Sequence, residues 1–114
     1  MKARIPKGPT GQGNINDLMK QAQIMQQEVS RLTEELQERE YEIKAGGGLV
    51  RLLVGGDKMI KEIEISPEIV DPDDIDTLQE LIVAAVNEAI STVETTTTAE
   101  IEKVTGSFGL PGMV

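Results

Sequence analysis

The chain contains no cysteine, no histidine and no tryptophan, and only one Tyr and one Phe. Without cysteine there is no disulfide, no thiolate nucleophile and no Cys-based zinc site. Without histidine the commonest general base and the commonest transition-metal ligand are gone as well. So few aromatics leave little bulky material for a core, and a monomer of 114 residues buries a modest share of its surface. Self-association is the usual remedy. No apolar run approaches the roughly 20 residues that a membrane helix needs, and the basic N-terminus lacks the apolar stretch of a secretory signal. The expectation by elimination is a soluble, cytoplasmic, single-domain protein, not an enzyme, with no cofactor and no metal.

What the sequence does have is helix periodicity. Ile15, Leu18, Ala22, Met25, Val29, Leu32 and Leu36 step by three and four residues over three heptads. Apolar residues at that spacing lay one narrow seam along a helix, and such a seam wants a partner helix. With Asn14 or Asn16 as N-cap, the spacing predicts a helix from about Asn16 to about Glu38. Its partner is either the long helix near the other end of the chain or a second copy. Residues 39–45 then change to period two, with Arg39, Tyr41, Ile43 and Ala45 on one face, which predicts a half-buried strand. Gly46-Gly47-Gly48 marks a turn needing positive φ. Leu49 to Val54 reads as a second strand, and Gly55-Gly56-Asp57 has the composition of a hairpin turn. From Met59 to Ile65 a third strand is expected, with Met59, Lys61, Ile63 and Ile65 opposite Ile60, Glu62 and Glu64. Pro67 to Val70 suits a short helical turn.

Asp71 and Pro72 make a good N-cap and first-position pair for a second long helix. Ile75, Leu78, Leu81, Ile82, Ala85, Val86, Ala89, Ile90 and Val93 give it a broad apolar stripe. Thr95 to Thr98 each carry a modest helical cost, and the helix is expected to pass through them and end at Gly106. The fold class is thus α+β, an α-β-β-β-α protomer with a three-stranded antiparallel sheet and two long helices. Its parts are a flexible basic arm (1–13), a dimerisation and binding domain (14–106) and a loose C-terminal tail (107–114).

Charge is uneven. The chain carries −9, yet residues 1–20 hold Lys2, Arg4, Lys7 and Lys20 against Asp17 alone, a net +3, leaving about −12 on the rest. A basic arm on an acidic body poses two readings. One is a solubilising tail. The other is phosphate contact by Lys2, Arg4 and Lys7, helped by Lys20 and Arg31 on the first helix. An acidic body repels a polyanion, so such contact must be local, and a dimer would double it. With no stacking aromatics, recognition would be largely independent of base sequence.

Other chemistry finds little footing. Asp71, Asp73, Asp74 and Asp76 are dense enough to suggest a divalent cation, but their spacing does not fit the calcium loop of an EF-hand. Acids at a helix start are better explained as caps and dipole partners. The glycine clusters precede strands and lack the Lys-Ser/Thr of a phosphate loop. No Ser or Thr has an identifiable base partner.

Several stretches together resemble the YbaB/EbfC family of nucleoid-associated proteins. They are Asn16-Asp17-Leu18-Met19-Lys20-Gln21-Ala22-Gln23 with Met25-Gln26, then Gly47-Gly48-Leu49-Val50, Ile63-Glu64-Ile65-Ser66-Pro67-Glu68, and Leu81-Ile82-Val83-Ala84-Ala85-Val86-Asn87-Glu88-Ala89. The resemblance spans about residues 14 to 113. It implies a tight, tweezer-like homodimer that binds double-stranded DNA in the bacterial cytoplasm at the nucleoid, with no catalytic residues. The family's motif lysine falls on Lys20, and its other basic positions correspond loosely to Lys7 and Arg31. Where many relatives carry lysines along the first helix, this chain carries Glu28, Glu34, Glu35 and Glu38. The alternative is a dimeric adaptor for a protein partner such as a recombination or replication factor.

Overall fold

A computed structural model describes the backbone of residues 7–108 and the side chains of residues 15–108. The element order is α1 (Lys7–Glu38), β1 (Glu40–Ala45), β2 (Val50–Gly55), β3 (Ile60–Ile65) and α2 (Ile75–Ser107), with 3₁₀ turns at Gly46–Gly48 and Pro67–Ile69. The protomer is elongated, 90 × 22 × 15 Å. This is the α-β-β-β-α order expected, with strand order β1-β2-β3 and both pairs antiparallel.

Two helix starts differ from the sequence-based expectation. α1 begins at Lys7 and not near Asn16, so residues 7–13 are helical backbone instead of arm. Pro9 does not prevent this, because the first N–H groups of a helix have no intrahelical acceptor to lose. Residues 1–6 lie outside the described part. α2 begins at Ile75, and its cap is Asp74, not Asp71. Asp71 is used one turn earlier, where its carboxylate accepts from Asp73 N at 2.9 Å and its carbonyl from Asp74 N at 2.9 Å. Asp74 then accepts from Thr77 N at 3.3 Å and Thr77 Oγ1 at 2.8 Å, the side-chain cap that satisfies an orphan helix donor. The helix passes through Thr95–Thr98 unbroken.

The core lies between α2 and one face of the sheet. Val50, Leu52 and Val54 of β2 are at most 1% exposed, as are Ala85, Ala89 and Val93 of α2, with Ile43 beside them and Tyr41, Ala45, Leu81 and Val86 at the margin. Small alanines at 85 and 89 let the helix sit close on the sheet, which is how a chain poor in aromatics reaches native packing density.

The β2–β3 connection holds two surprises. The left-handed residue is Lys58 (φ 65), not a glycine, with Asp57 Oδ1 accepting from Met59 N at 3.1 Å. Gly56 is needed for a different reason: a Cβ there would collide with the carbonyl oxygen of Leu36 at the end of α1. Its N–H donates to Arg39 O at 2.8 Å. The second surprise is a register shift between Leu53 and Val54, where Leu53 faces Glu62 but Val54 faces Ile60. Lys61 is the extra residue of a β-bulge. Strict alternation puts Ile60 with Glu62 and Glu64; the bulge turns it to the inner face with Ile63 and Ile65.

Of the three strands α2 packs mainly on β1 and β2, and Ile60, Ile63 and Ile65 remain 43%, 44% and 36% exposed. The flank of α2 that leans toward β3 is fixed by the Lys58–Glu94 ion pair (3.1 Å) at the β2–β3 turn. By helical period Ile82, Val86 and Ile90 run along that same flank. Together with β3 they make an apolar surface continuous with the core and open to solvent.

The seam on α1 is likewise half used. Leu32 and Leu36 are buried, Val29 and Met25 are half-buried, while Ala22, Leu18 and Ile15 are exposed. The far half of α2 is the partner helix: Thr33, Leu36 and Gln37 line one cleft with Glu94, Thr97 and Thr98.

Candidate nucleic-acid interface

A polyanion needs cations that are not already spoken for. Seven of the eight lysines and arginines with described side chains are ion-paired. Arg51 is the most heavily engaged. It reaches Glu42 at 2.8 Å, Glu62 at 2.9 Å and Glu64 at 3.1 Å across all three strands. The hydrogen bond it donates to Glu64, with the charges of Glu64, Glu42 and Glu62 behind it, holds the guanidinium well above its ordinary range, and Arg51 in turn holds the Glu64 carboxyl low. Arg39 bridges Glu35 and Glu100, each at 3.3 Å, tying α1 to α2. Lys44, Lys58, Lys61 and Lys103 pair with Glu42, Glu94, Asp57 and Glu100.

Arg31, one of the sequence-based candidates, sits between Glu28 (3.0 Å) and Glu35 (3.3 Å) on its own helix. Both pairs are open to solvent, and such pairs are individually weak. A phosphate could therefore compete for Arg31, but only beside two carboxylates. Lys20 is different: among the described residues it is the one cation with no carboxylate in ion-pair range, and it is exposed. Lys20 and Arg31 are eleven residues apart, which places them on one face of α1 about 16 Å apart. That face is opposite the Leu18–Met25–Leu32 seam. The backbone of Lys7 opens α1, the helix end that favours anions. Lys2 and Arg4 lie outside the described residues.

The outer face of the sheet has the opposite character. Opposite residues on paired strands share a face, so Glu42, Arg51, Glu62 and Glu64 stand together there, with Glu40 and Lys44 on the same side of β1. Four carboxylates against two cations make this face repel phosphate. Sequence reasoning missed the cluster because its members come together only once the register is known; Glu at alternate positions of β1 and β3 was the available signal. Among the described residues no three acidic side chains converge as a cation site would need, Asp71–Asp76 included. No described helix is long and apolar enough to cross a membrane.

Known proteins share this sequence pattern and this fold. Residues 12–108 match the YbaB/EbfC DNA-binding family. The chain belongs to that family. It is 55% identical over 102 residues to a nucleoid-associated protein of Acetivibrio thermocellus, covering 89% of this chain and 90% of that one. A nucleoid-associated protein of Clostridium novyi is 48% identical, with 93% of each chain covered. The fold is also that of an uncharacterized protein from Helicobacter pylori whose crystal structure matches with a TM-score of 0.58 at 23% identity, over 68% of this chain and 90% of that one.

Proposed function

We propose that this YbaB/EbfC protein is a non-catalytic, nucleoid-associated protein that binds double-stranded DNA as a homodimer, contributing to chromosome organisation or gene regulation. The observation that carries the reading is the segregation of available cations. Every described cation from Arg31 onward is paired with carboxylates of its own chain, whereas Lys20 is unpaired and Lys2, Arg4 and Lys7 belong to a stretch with no acid before Asp17. DNA therefore meets the N-terminal end of α1, with Lys20 and the Lys2–Lys7 segment on phosphates and Arg31 as the weakest contact. The contacts carry charge and no base-reading chemistry, so binding depends strongly on salt and weakly on sequence.

The open half of the core supports the dimer. Ile60, Ile63 and Ile65 with the Ile82–Ile90 flank of α2 form an apolar surface that a second copy would cover, leaving the α1 ends free as paired arms. Fluorescence anisotropy with a generic duplex at two salt concentrations tests the reading. Wild type should lose affinity steeply with salt. Lys20→Ala should flatten the log–log salt slope by about 0.9 for each phosphate no longer neutralised, or about 1.8 for a dimer, and Arg31→Ala should change it less. Absence of binding at low salt would overturn the DNA reading. The acidic sheet face would then favour the adaptor reading, tested by partners that survive nuclease treatment.

A further inference from the structure

The side of α1 that points away from its seam is built differently from the outer face of the sheet. Asn16, Lys20, Gln23, Gln27 and Arg31 recur at steps of four, three, four and four. That spacing lines them up along one side of the helix over about 22 Å. All five are exposed, and Gln23, Gln26, Gln27, Ser30 and Arg31 border a shallow groove that runs along α1. The seam on the other side is what meets α2, so nothing in the described fold packs over this stripe.

Its composition stands apart from the rest of the chain. Four of the seven glutamines fall between residues 21 and 27, and from Leu18 to Gln27 there is no acid, in a chain that has 20. A merely solvated face in so acidic a protein would carry glutamates, as α1 itself does from Glu28 onward at Glu34, Glu35 and Glu38. The interval between the two candidate cations Lys20 and Arg31 carries amides instead. Each glutamine amide offers two N–H donors and no charge. Such side chains donate to phosphate oxygens in protein–DNA complexes, and an ionised acceptor makes the bond stronger than a neutral pair. A carboxylate at the same place would repel the phosphate.

We infer that Gln23 and Gln27 contact DNA phosphates directly, filling the interval between Lys20 and Arg31 with neutral hydrogen bonds. The inference rests on the DNA-binding reading above and adds a component of a different kind. Lys20 acts by releasing counterions, so its contribution fades as salt rises. An amide releases none, and its contribution persists. The stripe thus holds the duplex where the paired Arg31 and the acidic body offer little attraction.

Fluorescence anisotropy with a generic duplex at two salt concentrations separates the two components. Gln23→Ala with Gln27→Ala should weaken binding about tenfold at both salts, with the log–log slope unchanged. Alanine is the better helix former, so α1 stays helical in this variant. Gln79→Ala, which removes an exposed glutamine of α2, should bind as wild type does. Gln27→Lys should steepen the slope by about 0.9 for each copy, because the new cation meets a phosphate. If wild type binds and the double alanine variant binds equally well, the glutamine contacts are overturned while the DNA reading stands. Failure of wild type to bind at low salt would overturn both. An unchanged slope in Gln27→Lys would place the stripe away from phosphate and overturn the inference. So would a loss confined to A·T-rich duplexes, which would put the amides on adenine edges.

Discussion

β2 and β3 are neighbours in one sheet and present similar aliphatic residues to the same face, yet they end in opposite states. Val50, Leu52 and Val54 are at most 1% exposed, whereas their partners Ile65, Ile63 and Ile60 are about two-fifths exposed. Composition does not explain the difference. α2 is one helix about 10 Å wide, and it covers two strands of three. The inner face of the sheet is therefore half a core completed within the chain and half left open. In the proposed dimer, a protein almost devoid of aromatics would gain burial by sharing one apolar layer between copies.

That contrast can be broken from either side. On the covered side, Leu52→Ala should cost about 2–5 kcal/mol, seen as a large drop in the denaturation midpoint. A cost under about 1 kcal/mol would mean the core is not where the burial places it. On the open side, Ile63→Asp should leave the helical circular dichroism signal intact but weaken the dimer roughly a hundredfold, or about 3 kcal/mol. Sedimentation velocity over a dilution series reads this directly, and an unshifted monomer–dimer equilibrium would place the interface elsewhere. Gly56→Ala sharpens the picture by loosening the turn that joins the two strands. Its Cβ meets the Leu36 carbonyl, and a destabilisation of about 1–3 kcal/mol is expected from forced overpacking.

The smallest effect concerns the outer face. Arg51 holds Glu64 below the ordinary glutamate value of 4.5. A carboxyl lowered on folding stabilises the fold above its unfolded value, and that stabilisation disappears as pH falls through its folded value. Stability should thus decline on acidification below about pH 4.5, and Glu64→Gln should make that decline shallower. Thermal melts between about pH 3 and 6 measure it, and identical profiles for the two proteins would remove Glu64 from the account.

How much of this is legible from residues alone varies with range. The strand order, the glycine turn with positive φ at Gly46–Gly48 and the α2 stripe follow from local periodicity and are all present. The cap moves from Asp71 to Asp74 because adjacent aspartates can each hold a turn, and only the backbone path decides which opens the helix. Ile60 changes face because a one-residue bulge is invisible to an alternation rule. The candidate site is legible as a charge imbalance, and Lys20 stands out within it. That Arg31 is shared by Glu28 and Glu35, and that Arg51 gathers three glutamates from two strands, depend on register and rotamer and cannot be read in advance.

The tight seat of Gly56 has a mechanical consequence. α1 is 32 residues long, about 48 Å, and it is held to the sheet near its last turn, where the Leu36 carbonyl rests on Gly56 and Gly56 N–H grips Arg39 O. That contact is a fulcrum with a long arm on one side. A tilt of about 5° there carries the Lys20 end through roughly 2–3 Å and the start of the helix through about 4 Å, comparable to one base-pair step along a duplex. In the proposed dimer the gap between two such arms would accordingly be set at a glycine far from the proposed phosphate contacts.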